Sequence, residues 1–290
     1  MQQTQLATKP APVPVLRFKT FSHLLAHLAL LLGSIIMILP FFWMLSTSLK
    51  TYNETFAVPI KWLPSVPQFH NYIDAWRSQT YFPTYFFNSF YTTIVTVVLE
   101  VILSIFAAYA FARMRFLGKN LLFVILLSTM MVPGEVLLVP NFITLRHLHW
   151  VNTYYALIVP WIVSVFAVFL LRQHFLQVPN ELQEAAYLDG AGHTRFLLQI
   201  VVPLSRPPIA TVALLKFIGS WNAFLWPLIV TNTPKMRTVP IGLMALMQDE
   251  GPQYHIWMAA ATLALIPVVA VFLAAQKQFI ESVAKSGLKG

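Results

Sequence analysis

The chain predicts an all-α membrane protein of six transmembrane helices, with a helix-turn-helix inserted between the fourth and the fifth. Three observations carry that expectation. First, 58% of the residues are hydrophobic, only 10% are charged and the mean hydropathy is +0.68, far from the averages of soluble domains. Second, six apolar runs are long enough to cross a hydrocarbon layer of about 30 Å; they cover about 24–46, 88–111, 120–140, 153–173, 207–230 and 256–277. Third, one polar interruption, Asn180 to Pro207, is much longer than the turns that join membrane helices.

Taken in order, residues 1–23 form a polar N-terminal segment bearing Lys9, Arg17 and Lys19. The run after it exceeds a signal-peptide core and reads as a retained first span. A spanning segment must satisfy its own backbone hydrogen bonds, so all six runs are expected as helices. The loop Thr51–Pro83 carries Trp62, Tyr72, Trp76, Tyr81 and Phe82, rings of the kind that settle at headgroup depth. In the third run Pro133 removes a backbone donor and is expected to kink or break the helix beside Gly134 and Glu135, marking a cavity wall.

Charge sets the orientation. Of the nineteen Lys and Arg residues, twelve fall on one face: Lys9, Arg17, Lys19, Arg113, Arg115, Lys119, Arg172, Arg195, Arg206, Lys277, Lys285 and Lys289. Six fall on the other, and Lys216 lies inside a span. The positive-inside rule then places both termini, the tail 278–290 and the long polar stretch in the cytoplasm. The net charge of +9 is accounted for by orientation in a lipid membrane, without nucleic acid.

Several chemistries are excluded. With no cysteine there are no disulfides or thiolate sites. No phosphate-binding Gly-rich loop ends in Gly-Lys-Ser or Gly-Lys-Thr, and no HExxH or Gly-x-Ser-x-Gly occurs, so the sequence offers neither a nucleotide site nor a hydrolase constellation.

The polar stretch carries two helix signatures. Asn180 with Gln183 three residues on reads as a capping box that starts a helix at Glu181. Gly190, Ala191 and Gly192 permit a reversal, and Thr194 is placed to cap a second helix that Pro203 ends. The first helix has three acids, Glu181, Glu184 and Asp189, and no base, unlike a lipid-surface helix. Ala185 and Ala186 let another surface come close, which suits a groove in a soluble partner.

This segment resembles the EAA loop of the permease subunits of binding-protein-dependent ABC importers. The pattern is Glu184-Ala185-Ala186, Gly190, Ile200 and Pro203, with Val202 where the family has leucine. The flanking stretches Ala108–Arg113, Met131–Glu135, Asp189–Ala191, Trp221–Leu228 and Leu288-Lys289-Gly290 resemble the carbohydrate-uptake branch, in particular its six-span, maltose-permease-like subunit. Relatives carry Asp where Ala223 follows Trp221-Asn222. The resemblance implies a six-span domain over 24–277 in a bacterial or archaeal inner membrane, with a coupling loop over 178–207. It also implies a second homologous permease, a cytoplasmic ABC ATPase dimer holding ATP and Mg, and an extracytoplasmic solute-binding protein. This chain itself would bind no cofactor or metal and catalyse nothing. Glu184, Ala185, Ala186 and Gly190 would form the plug that enters the ATPase.

Two charges lie near mid-span, Glu100 and Lys216. Intramembrane charges are costly and are usually paired or functional, so an ion pair between the second and fifth spans is expected, against separate cavity-facing roles. For the translocation path the candidates are Trp221 and Asn222, then Met130, Gly134 and Glu135, because Asn can hydrogen-bond a hydroxylated solute and Trp can stack on a sugar ring. The alternatives are an Asn222 bond at a helix interface and a boundary anchor at Trp226. An ion-coupled carrier using Glu100, or an intramembrane enzyme, would leave the coupling-loop pattern to coincidence.

Overall fold

The computed structural model describes residues 16–77, 81–249 and 253–287. Lys9 and the Leu288-Lys289-Gly290 ending lie outside them. Within the described residues the regular structure is helical. The long elements are α1 (Leu16–Ser48), then after two short outer helices, α2 (Tyr52–Thr55) and α3 (His70–Arg77), α4 (Phe82–Arg113). The third run is broken: α5 (Lys119–Ser128) and α6 (Leu138–His147) flank two 3₁₀ turns and stand 92° apart. Pro133 sits at that break with extended backbone, where a continuous helix would lack its N–H bond.

The fourth run is α7 (Tyr154–Ile158), a 3₁₀ turn at Val159–Trp161, and α8 (Val165–Leu176). The polar stretch follows as α9 (Asn180–Leu188), α10 (His193–Phe196), a π-turn over Leu197–Val201, and α11 (Val202–Leu204). A bend of 80° leads into α12 (Arg206–Trp221). Then come α13 (Leu225–Val230), α14 (Val239–Asp249) and α15 (Tyr254–Gly287). Among the described residues four helical stretches are long and apolar enough to span, and up to six if each bent pair counts as one span.

The expected fifth span, 207–230, is not one helix. It stops at Trp221 and resumes at Leu225, because an unbroken helix would drive the Pro227 ring into the carbonyl of Ala223.

Spans α4, α8, α12 and α15 form the bundle, with α1 added on the outside of α15. At one end Ile105, Ala108, Tyr109 and Ala112 of α4 pack on Ala167, Val168, Leu171 and Phe175 of α8, and the same cluster takes in Ala186, Phe196 and Val201. The polar stretch is therefore rooted in the bundle core. At the other end Asn88 donates to the carbonyls of Lys235 and Arg237 (2.8 Å each) and accepts from the Tyr154 hydroxyl (2.7 Å). The loop aromatics divide: Phe82 is buried, Tyr72 and Tyr81 pack beside it, and Trp62 and Trp76 keep exposed rings. Only part of that set is thus free to lie at a lipid boundary.

Candidate functional site

Two sites lie at opposite depths of the bundle. The first is the polar stretch built on α9 and α10. Its glycine does what the local geometry requires: Gly190 has φ +77°, its N–H donates to Tyr187 O (3.0 Å), and Ala191 N–H donates to Ala186 O (2.8 Å). That pair of bonds closes a helix end only around a left-handed residue. Nothing lies within 4 Å of a Cβ built there, so backbone conformation, not space, selects glycine.

The expected caps are corrected by the structure. Asn180 lies inside α9, Pro179 holds the cap position, and no side-chain cap bond forms. The Asn180 side chain instead accepts from Arg113 Nη1 at 2.5 Å, a charge-assisted bond that outweighs a neutral cap. Gln183 donates to the Tyr187 hydroxyl (2.8 Å). Gly192, not Thr194, precedes the second helix. Pro203 lies within the continuous helical stretch His193–Leu204, directly after the π-turn over Leu197–Val201, and the chain turns two residues later, at Ser205. Ala186 is buried against the bundle core, whereas Glu184, Ala185 and Gly190 are exposed. Ala186 thus roots the element, and the presented surface is Glu184, Ala185 and Gly190 with Leu188, which is 89% exposed. Ile200 packs on the same core, and Pro203 is exposed.

Sequence reasoning missed how this element is held. Arg113, the last residue of α4, donates from Nε and Nη2 to Phe175 O (3.0 and 2.7 Å), from Nη2 to Val178 O, and from Nη1 to Asn180. One guanidinium thereby joins the end of α4 to the end of α8 and the start of α9. Four residues earlier, on the same helix face, the Tyr109 hydroxyl lies 3.0 Å from His193 Nδ1, which is also 2.9 Å from the Tyr187 hydroxyl. The signal was available in the i, i+4 spacing of Tyr109 and Arg113 at the end of a span.

The second site is inside the membrane. Lys216 Nζ lies 2.5 Å from Glu100 Oε2, so α4 and α12 are joined by an ion pair whose carboxylate is 3% exposed. The ammonium also donates to Trp161 O (2.7 Å), the carbonyl freed by the 3₁₀ break of the fourth span. A cavity of about 480 Å³ opens beside this pair, lined by Gly134, Glu135, Trp161, Lys216, Ser220 and Phe224 among others.

Of the path candidates, Gly134 and Glu135 line this cavity. Trp221 does not: it is 3% exposed, stacks on Phe217 and donates its indole N–H to Ala264 O (3.0 Å). Asn222 and Met130 are exposed but lie off the cavity, and Asn222 donates to Ile218 O of its own helix (3.0 Å). Trp226 is buried and bonded to Ala156 O (2.9 Å), not at a boundary. The cavity does offer the half-exposed rings of Trp161 and Phe224; neither is among the path candidates, because their exposure depends on the helix breaks beside them, at Val159–Trp161 and at Asn222–Phe224.

A transport protein is the class that such a broken-helix cavity and externally presented helix define. The sequence profile of the binding-protein-dependent transport system inner membrane component matches residues 100–285, and the chain belongs to that family. It is a permease subunit of an ABC importer, a transport component and not an enzyme. It is 36% identical over 259 residues to the arabinooligosaccharides transport system permease protein of Bacillus subtilis (strain 168), covering 89% of this chain and 92% of that one. It is 32% identical to the sn-glycerol-3-phosphate transport system permease protein of Yersinia enterocolitica, covering 90% and 95%. The fold is that of a chain in a bacterial ABC transporter involved in import of the acidic polysaccharide alginate, with TM-score 0.81, 23% identity and coverage of 93% and 100%.

Proposed function

We propose that this permease forms half of the translocation pathway for a sugar or related solute and is driven through the segment 178–207. In this reading a cytoplasmic ABC ATPase dimer, carrying ATP and Mg, receives Glu184, Ala185 and Gly190 in a cleft. A second homologous permease supplies the other half of the path, and an extracytoplasmic solute-binding protein delivers the cargo. Both termini are cytoplasmic, and the six-span domain covers 24–277. The Glu135–Trp161 cavity, walled in part by Lys216, which Glu100 holds from behind, is this chain's contribution to the path.

The single observation that carries the reading is the exposure of Glu184, Ala185, Gly190 and Leu188 on an element whose other face, through Ala186 and Phe196, is packed into the bundle. Such an element transmits force: a partner grips one side while the other is continuous with α4 and α8. Supporting it, the relatives named above are permeases of systems for arabinooligosaccharides and sn-glycerol-3-phosphate, and a neighbouring structure contains an alginate pentasaccharide-bound periplasmic protein (TM-score 0.63).

Purification from native membranes tests it. Co-purification of an ATPase and a second permease, with solute uptake that requires ATP and the binding protein, is the expected result. Gradient-driven uptake by the purified chain alone would establish the ion-coupled carrier instead.

A further inference from the structure

A second cavity, of about 690 Å³, lies between the end of α4 and the coupling element. Its walls include three cations, Arg113, Arg115 and Lys119, against one carboxylate, Glu184. Two of the cations are committed within the chain. Arg113 holds Phe175, Val178 and Asn180, and Lys119 Nζ donates to the carbonyls of Ala112 (3.2 Å) and Met114 (2.9 Å). Arg115 is exposed and makes no hydrogen bond or ion pair among the described residues.

Beside it the loop from α4 to α5 exposes Phe116 and Leu117, at 40% and 99%, between Arg115 and Lys119. This loop joins two membrane helices, so it sits at the membrane boundary. An acidic side chain of a soluble partner would answer the charge but leave the adjacent apolar pair unexplained. A phospholipid answers both, and basic pockets between membrane helices on the cytoplasmic side are suited to anionic headgroups.

We propose that this cavity binds the phosphate of an anionic phospholipid of the cytoplasmic leaflet, with Arg115 as its free cation and Phe116 and Leu117 against the acyl chains. The proposal rests on the cytoplasmic orientation given above. The lipid would sit in the joint between α4 and α9, next to the Arg113 clamp.

The test is native mass spectrometry of the assembled transporter released from nanodiscs of phosphatidylcholine with and without phosphatidylglycerol. Wild type is expected to retain phosphatidylglycerol in preference to phosphatidylcholine. Arg115→Gln is expected to cut that retention about fivefold, the worth of one basic contact to an anionic headgroup, and Leu117→Asn to reduce it with the charge intact. Arg195→Gln, which removes a cation outside the cavity, is expected to leave it unchanged. Equal retention by wild type and Arg115→Gln overturns the proposal. So does displacement of the lipid by inorganic phosphate, which would make the ligand a soluble anion, or lipid retention that appears only after the ATPase is stripped, which would make the cavity a protein contact. Subunit composition, read in the same spectra, reports separately on the transporter assignment.

Discussion

Arg113 Nε and Nη2 converge on the single carbonyl oxygen of Phe175, at 3.0 and 2.7 Å, and so tie the end of the second span to the end of the fourth, just before α9 begins. A planar fork with fixed donors makes this junction; a lysine presents a point charge and cannot reproduce it. Arg113→Lys is expected to leave membrane insertion intact and to lower ATP-driven uptake about tenfold or more, with ATPase activity falling less than uptake. Hydrogen bonds to a charged group of this kind are worth about 2 kcal/mol, enough to loosen α9 from the bundle. Parallel uptake and ATPase assays in reconstituted vesicles check it.

Gly190 separates strain from packing. Its φ of +77° costs a residue with a Cβ about 1–2 kcal/mol, while the space around it is open. Gly190→Ala is therefore expected to loosen the end of α9, and Gly190→Asn to do so less, since Asn tolerates the left-handed region. Hydrogen exchange of the amides of Gly190 and Ala191 ranks the two.

The Glu100–Lys216 pair can be taken apart and removed whole. Glu100→Gln or Lys216→Met alone leaves one charge unpaired at mid-span, and each is expected to destabilise by about 3 kcal/mol. The double substitution is expected to recover much of that loss, as replacement of a buried pair by neutral groups often does. A thermal-unfolding cycle in detergent measures the coupling.

On the opposite end of the bundle, Glu54 is held at a pKa of about 2, chiefly by hydrogen bonding from the Ser65 side chain and then its backbone, with Thr51 N–H adding to it and Lys61 contributing charge. Its folded-state value lies below the ordinary carboxylate value of 4.5. The stability it gives the outer loop is thus present above about pH 4.5 and is lost as the pH falls through about 2. Limited proteolysis of the 51–65 loop with an acid-stable protease is expected to show constant protection from pH 7 to 5 and rising cleavage below 4. Glu54→Gln is expected to flatten that profile.

Much of this architecture was legible from residue order because the membrane leaves few choices: an apolar run of about 20 residues must be a helix. Pro133 announced the break of the third span, and Gly190 the reversal after α9. The break at Asn222–Phe224 was missed although Pro227 signals it, since the hydropathy stays high across it. The site was less legible. Trp221 was chosen for its ring, but a tryptophan in a crowded bundle is as readily packed as presented, and here Phe217, Phe86 and the Ala264 carbonyl use every part of it. The Asn180 cap failed for a related reason: a local rule about N-caps cannot see a guanidinium arriving from 67 residues away. Long-range polar partners decide such side chains, and nothing in the residues around Asn180 marks its partner.

The measurement that bears most directly on the central claim is ATP-driven solute uptake by the assembled transporter carrying Glu184→Lys. Its side chain is exposed on the face of α9 proposed to enter the ATPase, and it is not part of the packed core. The expected result is normal membrane insertion and thermal stability with uptake and coupled ATPase activity both lost. Undiminished uptake by this variant, with the charge reversed, would contradict the account.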